Sequence, residues 1–382
     1  MARTDYAMQK PHRARLTCAC VLSVLNLLMS VATCDARSSV VAWGRNLEGQ
    51  TNVPTTLTNV LAIAAGNVHS LALSADGTVA AWGGNANHQT MVPSQVTNAI
   101  AIAAGGFHSL ALNADATVTA WGNNDYGQIT IPASLTNVVA IAGGYHHSLA
   151  LTRQGTVVAW GDNSLGQTNV PAGLVNVVAI AGGASHSIAL KADGTVVVWG
   201  DNSLGQTNVP PGLINVMAIT AGLAHNLALK TDYTISAWGY NNYNQAIQTN
   251  LANVVAISAG SFHNLALKTN GLVAAWGDND YLQTKLPSGL SNVVAIAGGG
   301  YHSLALIDAK TSPRLFNAAW QNNAFTSAVM TLLRKNYTFE FNPSLDGTNW
   351  TALSSFPGTG ATKAVTNSNA TGSQGFYRIR VD

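Results

Sequence analysis

Residues 179–206 read A-I-A-G-G-A-S-H-S-I-A-L-K-A-D-G-T-V-V-V-W-G-D-N-S-L-G-Q, and close copies of this stretch fill most of the chain. Tryptophan followed by glycine recurs every 39 residues, with one spacing of 38, at Trp43, Trp82, Trp121, Trp160, Trp199, Trp238 and Trp276. A second motif, His-(Ser/Asn)-(Leu/Ile)-Ala-Leu, starts at His69, His108, His147, His186, His225, His263 and His302. Repetition at a fixed period of this length is typical of solenoids, propellers and repeat arrays.

Each repeat contains three short segments that favour β-strands, for example residues 137–142, 148–151 and 156–160. They are too short for helices and rich in β-branched residues. An Asp-Gly or Asn-Gly pair between the second and third segments predicts a tight hairpin turn with positive φ. Residues 167–171 are a candidate for a fourth, irregular edge strand. Because the strands are apolar at nearly every position, both faces of each small sheet must be covered, which predicts a β-propeller.

The two ends of the repeat region are complementary halves. Residues 40–50 hold a Trp-Gly motif with no His motif before it, and residues 293–306 hold a His motif with no Trp-Gly motif after it. Joined, they complete one unit and remove the open edges of the array. The sequence therefore predicts an all-β, seven-bladed propeller over residues 37–310, with the N-terminal strand completing the last blade.

The N-terminal segment has the features of a signal peptide. Four basic residues precede an uncharged run from Leu16 to Thr33, and small residues follow around Cys34 and Ala36, so we expect residues 1–36 to be removed on export. The alternatives are a retained anchor, a lipoprotein attached at Cys34, and a true start at Met8. The prediction is a secreted or cell-envelope protein.

The predicted mature chain has no cysteine and no excess of charge. All three cysteines lie within residues 1–36, and removing that segment leaves equal numbers of basic and acidic residues. Only 9% of the chain is charged, so it lacks the basic surface that nucleic-acid binding requires. After the repeats, residues 311–382 contain alternating strand patterns separated by turn residues, which predict a small C-terminal β-sandwich-like module.

The repeat unit, as it stands in residues 101–128 and 179–206, resembles the repeat of the regulator of chromosome condensation (RCC1) family. The opening residues 39–44 and the Gly-Gln-Thr-x-Val-Pro turns are most similar to the bacterial secreted branch, which includes a β-lactamase inhibitory protein. That resemblance implies a seven-bladed propeller that binds a partner protein through one face. In the eukaryotic branch a wedge insertion carries guanine-nucleotide exchange. No repeat here contains such an insertion, so exchange is not expected.

The recurrent histidines and tryptophans are predicted to be structural. A ring of seven histidines suggests metal ligands, but a zinc ligand must lie about 2 Å from the metal, and equivalent positions on neighbouring blades lie well apart. We expect these histidines to hydrogen-bond backbone in the glycine turn and the tryptophans to pack between blades. No metal and no cofactor is predicted. The chain has no G-x-S-x-G, H-E-x-x-H, EF-hand or P-loop motif, so it is not expected to be an enzyme.

Positions that vary between repeats are the candidates for partner contact. The two residues before the repeat His lie in the turn between the first and second strands, which places them on one face of the ring. In the inhibitory branch, the resemblance implies, aromatics at this turn contact the partner. The predicted contact residues are Phe107, Tyr145, His146, Leu223, Phe262 and Tyr301. Tyr126 and Tyr243, in the turns beyond the Trp-Gly motif, are assigned to a different surface.

The leading interpretation is an exported, non-enzymatic propeller that binds a macromolecule, most simply a protein, and is a monomer. Three alternatives stay open. Asn- and Tyr-rich turns such as residues 123–126, 240–243 and 278–281 suit glycan binding. A β-lactamase inhibitor is implied by the resemblance, although Ser185 and Ala224 depart from the aromatic pattern. An enzyme would need an acid and base pair such as Asp125 and Asp280.

Overall fold

The structure is a computed structural model that describes residues 38–247, 250–308, 315–321, 324–330, 336–342, 351–357, 362–367 and 376–381. The described residues form β-strands joined by turns and contain no helix, hence none that could span a membrane. The predicted signal peptide, Met8 and Cys34 lie outside the described residues, as do both predicted domain boundaries.

Seven three-stranded antiparallel sheets follow one another along residues 38–308. Sheet 1 contains β2 Val60–Ala65, β3 His69–Ser74 and β4 Val79–Gly83, and sheet 2 contains β5 Ala99–Ala104, β6 His108–Asn113 and β7 Val118–Gly122. Sheet 3 contains β8 Val138–Gly143, β9 His147–Thr152 and β10 Val157–Gly161, and sheet 4 contains β11 Val177–Gly182, β12 His186–Lys191 and β13 Val196–Gly200. Sheet 5 contains β14 Val216–Ala221, β15 His225–Lys230 and β16 Ile235–Gly239, and sheet 6 contains β17 Val254–Ala259, β18 His263–Lys268 and β19 Val273–Gly277. Sheet 7 contains β20 Val293–Gly298, β21 His302–Asp308 and the N-terminal strand β1 Ser38–Gly44.

The predicted fourth strand is wrong. Residues 167–171 form a turn and an irregular segment outside the sheet ladder. Gln167 is fully buried, and its backbone carbonyl accepts hydrogen bonds from Trp199 and Ser187 of the next sheet. The segment is therefore held by side chains, and each sheet ends at its third strand.

The hydrophobic core lies between successive sheets. In one cluster, Leu149 and Leu151 of sheet 3 pack with Val177, Ile180 and Trp199 of sheet 4. The middle strand of every sheet is buried along its apolar positions. Stacking both faces of each sheet against a neighbour removes this surface from water, which explains strands that are apolar at nearly every position.

The N-terminal strand closes the series. β1 pairs with β21 over its whole length, from Ser38 opposite Asp308 to Gly44 opposite His302. Strand β2 of sheet 1 contacts both β20 and β21 of sheet 7. The last sheet therefore packs against the first, as each of the others packs against its neighbour.

The hairpin turns between second and third strands have the predicted positive φ. The glycines of the Asp-Gly and Asn-Gly pairs, Gly77, Gly194 and Gly271, have φ of 83°, 78° and 72°. At the equivalent position Ala116 has φ of 66° and Tyr233 has φ of 65°, although side chains other than Gly adopt this region at a cost.

We expect Ala116→Gly and Tyr233→Gly each to raise the free energy of unfolding by about 1 kcal/mol, because glycine adopts positive φ without strain. Chemical denaturation would measure the change. The matched control, Gly155→Ala at the same turn position with φ of 75°, should lower the free energy of unfolding by a similar amount. A loss of stability in both glycine variants would contradict the assignment of strain.

The C-terminal residues form two further three-stranded sheets. One contains β22 Leu315–Gln321, β23 Ala324–Met330 and β26 Thr362–Asn367, and the other contains β24 Asn336–Asn342, β25 Thr351–Pro357 and β27 Phe376–Val381. Phe339 on the central strand β24 is fully buried. Strands therefore occur in this part of the chain, and their arrangement as a β-sandwich-like module stays a prediction.

Candidate functional site

Two turns of every sheet meet at the same end. In sheet 3 the repeat His147 pairs with Gly161, which follows the Trp, and the backbone N–H of Asp162 donates to His146 O at 2.9 Å. The turn before each repeat His and the turn after each Trp-Gly motif therefore lie side by side. We call this end of the seven sheets the upper face.

A buried glutamine holds each turn after the Trp-Gly motif. Its side-chain Oε1 accepts the backbone N–H of the residue two positions earlier, as in Leu165 to Gln167 at 2.9 Å. The same bond forms in all seven turns at 2.8–3.0 Å. The turn conformation is thus constant, while the residue two positions before the glutamine is free to vary and is displayed outward.

The repeat histidines do not bond the backbone of the glycine turn, so that prediction is wrong. Each Nε2 lies 2.8–3.0 Å from a Ser Oγ or Asn Oδ1 of the next sheet, and His302 of sheet 7 bonds Ser70 of sheet 1. The partner of His186 is Asn226 of sheet 5, and the partner of His225 is Asn264 of sheet 6. An asparagine Oδ1 can only accept a hydrogen bond. Where the partner is serine, its hydroxyl donates to a glutamine carbonyl, as Ser148 does to Gln128. Both arrangements place the imidazole proton on Nε2.

These histidines are neutral and structural. Burial lowers the pKa of His108, His147, His263 and His302 to about 3. Burial likewise lowers the pKa of His69, His186 and His225 to about 4. Their Nε2 atoms are committed between sheets, and the described residues contain no cluster of three metal-ligating side chains.

A narrow axial cavity of about 130 Å³ opens among the first strands and the turns that follow them. Its wall is mostly glycine and alanine, three residues from each sheet. Backbone hydrogen bonds run from sheet to sheet around it, and Gly300 N–H of sheet 7 donates to Gly66 O of sheet 1 at 2.9 Å. Tyr145 reaches across the mouth of this cavity, where Asn67 Nδ2 donates to its hydroxyl at 3.4 Å.

Five of the six predicted contact residues fall into two aromatic clusters on the upper face. The first aromatic cluster contains Phe107, Tyr126, Tyr145 and His146, with Phe107 and Tyr145 ring centroids 5.3 Å apart. The second aromatic cluster contains Tyr240, Tyr243, Phe262, Tyr281 and Tyr301, with Phe262 and Tyr301 centroids 6.0 Å apart. The sixth residue, Leu223, is in neither cluster and lines the axial cavity.

The assignment of Tyr126 and Tyr243 to a different surface is wrong. The Tyr126 ring lies 4.7 Å from that of His146, and the Tyr243 ring lies 5.4 Å from that of Phe262. Because each sheet has three antiparallel strands, the end of the third strand returns to the end where the first strand finishes. The turns beyond the Trp-Gly motif therefore belong to the upper face.

The predicted contact residues leave out a row of exposed apolar side chains on this face, although three of the turns that hold them, residues 123–126, 240–243 and 278–281, are the candidates for glycan binding. They occupy the displayed position two residues before the buried glutamine, with exposed fractions of 41–52%: Tyr126, Leu165, Leu204, Tyr243 and Tyr281. They come from five successive sheets, 2 to 6. The sequence contains a signal for them, namely a large apolar residue within an otherwise polar turn, which is costly to expose unless a partner covers it.

The upper face is acidic. Its seven turns from the Trp-Gly motif to the glutamine contain six carboxylates: Glu48, Asp125, Asp162, Asp201, Asp278 and Asp280. Arg45 is the one permanently charged base in these turns, and it pairs with Glu48 at 2.8 Å. At the opposite end, the described hairpins between second and third strands balance their charges when the last residue of each second strand is included, with Asp76, Asp115, Asp193 and Asp232 against Arg153, Lys191, Lys230 and Lys268.

The asparagines of these turns use their side-chain oxygens within the turns. Asn124, Asn163, Asn202, Asn241 and Asn279 each accept a backbone N–H of their own turn through Oδ1. Asp125 and Asp280, the candidate acid and base pair, lie in turns of sheets 2 and 6.

A family model described as the regulator of chromosome condensation (RCC1) repeat matches residues 60–89, 99–128, 138–167, 177–206 and 254–283. The chain contains RCC1 repeats. Each matched segment begins at or beside the first strand of a sheet and ends at the buried glutamine, so the RCC1 repeat here is one sheet with its upper turn. No match was found among the curated proteins.

Solved structures with the same fold are RCC1-type propellers. Prp20p from Saccharomyces cerevisiae, studied for its binding to Gsp1p and histones, aligns at 20% identity with a TM-score of 0.63, covering 76% of this chain and 96% of Prp20p. The same yeast RCC1 bound to Kap60 aligns at 20% identity with a TM-score of 0.64, covering 81% of this chain and 97% of that one. Human WBSCR16 aligns at 20% identity with a TM-score of 0.58, covering 71% of this chain and 99% of that one. At this level of identity the likeness shows the fold, an RCC1-like β-propeller.

Proposed function

We propose that this protein is an exported, non-enzymatic, seven-bladed RCC1-like propeller that binds a partner protein through its upper face. The observation that carries the proposal is the row of exposed apolar side chains at the displayed turn position, backed by two aromatic clusters. Interfaces concentrate their binding energy in aromatic anchors of this kind. The structural neighbours support the idea, since Prp20p is described with protein partners.

The alternatives have weaker support. Glycan binding would need free amides, and the turn asparagines use their oxygens within the turns. The resemblance to the bacterial secreted branch keeps a β-lactamase as one candidate for the partner, which this protein would inhibit. The small β module after the repeats is proposed as a separate structural domain.

The test compares two pairs of exposed substitutions in the full exported chain. On the upper face, Tyr126→Asn and Tyr281→Asn are combined, because Asn87 occupies the same displayed position in sheet 1 and also donates its backbone N–H to the turn glutamine. At the opposite end, Val175→Asn and Ile214→Asn replace side chains that are 49% and 58% exposed. Capture of partners from an extract of the producing cell's envelope is measured with each variant.

We expect the upper-face variant to lose capture by about thirtyfold, corresponding to about 2 kcal/mol for anchor residues. Its melting temperature should stay near that of the unchanged protein, since both tyrosines are exposed. Undiminished capture by the upper-face variant, or equal loss with the opposite pair, would contradict the proposed face. Inhibition of a purified β-lactamase, lost with the same pair, would identify that enzyme as the partner class.

A further inference from the structure

The second aromatic cluster is built around an acidic turn that differs from its equivalents. In sheets 3 and 4 this turn reads Asp-Asn-Ser-Leu-Gly-Gln, whereas in sheet 6 it reads Asp278-Asn279-Asp280-Tyr281-Leu282-Gln283. The changes add a second carboxylate and a tyrosine ring. Sheet 6 therefore has aromatic surface and negative charge at one place.

The carboxylate of Asp278 has unused hydrogen-bonding capacity. In sheet 3, Asp162 accepts three hydrogen bonds, from the backbone and hydroxyl of Ser164 and from Gln167 Nε2. Asp278 accepts one, from the backbone N–H of Asp280 at 3.0 Å, because aspartate at position 280 has no hydroxyl to donate. Gln283 Nε2 also has no hydrogen-bond partner within the described part of the chain.

Asp278 is nevertheless buried, with only 5% of its surface exposed. The ion pairs among the described residues are Arg45–Glu48, Lys191–Asp193 and Lys230–Asp232, so neither Asp278 nor Asp280 has a basic partner there. A buried carboxylate without a cation is costly. Its negative charge also acts on its neighbour, since burial and then Asp278 raise the pKa of the Tyr301 hydroxyl.

The rings around this carboxylate suit a cation. Aromatic faces attract guanidinium and ammonium groups within about 6 Å of the ring centroid. The chain already contains one such contact, with Arg45 Cζ 5.8 Å from the centroid of Tyr281. Arg45 is held by Glu48, and no other residue that the structure describes places a cation over Tyr243, Phe262 or Tyr301.

We infer that the second aromatic cluster, with Asp278 and Asp280, is a receptor site for a positively charged side chain, an arginine or lysine presented by the partner protein. This inference rests on the proposed function, because the cation belongs to the partner that binds the upper face. The rings would enclose the alkyl stem and charged head, and the Asp278 carboxylate would accept its N–H groups. The acidity of the other upper turns would favour approach of a basic surface.

The test uses the full exported chain labelled with 3-fluorotyrosine and a short peptide, acetyl-Gly-Arg-Gly-amide. The control peptide replaces arginine with citrulline, which has nearly the same shape but no charge. We expect the arginine peptide to shift the fluorine resonances of Tyr243, Tyr281 and Tyr301 with a dissociation constant on the order of 1 mM. The resonances of Tyr126 and Tyr145, in the first aromatic cluster, should stay in place.

Two variants separate the site from general folding effects. Asp278→Asn has a precedent in Asn123, which holds the equivalent position in sheet 2. The triple variant Asp280→Ser, Tyr281→Leu and Leu282→Gly recreates the turn of sheets 3 and 4. Each should weaken the arginine peptide about fivefold or more. The matched control Asp201→Asn, in sheet 4, should leave the affinity unchanged.

Equal binding of the arginine and citrulline peptides, shifts confined to the first cluster, or no shift at all would overturn this inference. Those outcomes leave the proposed function intact if partner capture still depends on Tyr126 and Tyr281. Conversely, the arginine peptide could bind at the second aromatic cluster while partner capture is unchanged by Tyr126→Asn with Tyr281→Asn. That outcome would refute the proposed function alone.

Discussion

Lowering the pH from about 7 to about 4.5 is expected to unfold the repeat region in one steep transition, because seven buried histidines are neutral in the folded protein. Their pKa values are lowered by burial to about 3 or about 4, against 6.5 for an ordinary histidine. The unfolded chain takes up these protons below pH of about 6.5, and the folded chain does not. The stabilisation is therefore complete above that pH and is lost as the pH falls toward the folded pKa values.

The size of the effect follows from the number of histidines. One group contributes about 1.4 kcal/mol per pH unit within this window. Seven together reach about 10 kcal/mol per pH unit, comparable to the whole free energy of unfolding of a typical domain, about 5–15 kcal/mol. We expect a midpoint near pH 5, followed by tryptophan fluorescence and circular dichroism.

A single-site variant checks whether the seven repeat histidines cause the acid sensitivity. His147→Gln keeps an amide donor toward Ser187 and removes one titrating group, so the slope of unfolding free energy against pH should fall by about 1.4 kcal/mol per pH unit. His88 is not one of the seven repeat histidines, and His88→Gln is therefore the matched control. A protein that stays folded with native fluorescence at pH of about 3.5 would contradict the repeat histidines as the origin of acid sensitivity.

Deleting residues 40–50 is expected to abolish cooperative unfolding or cause aggregation. The deletion removes Trp43, whose side chain is 8% exposed and whose Nε1 donates to Gln283 O at 2.9 Å. Loss of one buried tryptophan alone costs about 3–5 kcal/mol. It also exposes the edge of β21 and leaves Ser70 and Trp82 of sheet 1 without the Gln50 carbonyl that they share.

The control moves the strand instead of deleting it. Inserting residues 38–50 after Asp308 through an Asp-Gly turn, with the N-terminal copy removed, gives sheet 7 the same strand order as the other six. Thermal melting and size-exclusion chromatography should show recovery of a cooperative, unaggregated protein. If the simple deletion melts like the full chain, the role of β1 in closing the ring is refuted.

The order of strands within a repeat could be predicted from the sequence because it depends on local patterns. The partner of each histidine could not, since His147 bonds Ser187, 40 residues further on, and nothing within one repeat indicates a neighbour one period away. The candidate fourth strand at residues 167–171 does not form, because the buried side chain of Gln167 and its backbone carbonyl determine the structure there.

The candidate site was predicted in part for a different reason. The turn before the repeat His was recognised because its residues vary, as at Phe107 and Tyr145. The turn after the Trp-Gly motif was placed on the wrong surface, although three antiparallel strands bring both turns to one end. Exposure at Tyr126 and Tyr281 depends on the glutamine-held turn, which is a tertiary feature and not a property of the local sequence.

The pairing of β1 with β21 imposes an order on folding. Synthesis delivers Ser38 first and Asp308 last, so β1 has no partner until nearly the whole repeat region has been made. Sheets 1 to 6 can form in succession from neighbouring strands, whereas sheet 7 pairs residues 258 to 270 positions apart, from Gly44 opposite His302 to Ser38 opposite Asp308. Contacts of such separation form slowly, and partly formed arrays with unpaired edges are prone to aggregation. Pairing of β1 with β21 is therefore expected to limit the folding rate. Until that pairing forms, β1 is an unpaired strand, and it is the segment that a chaperone would have to protect.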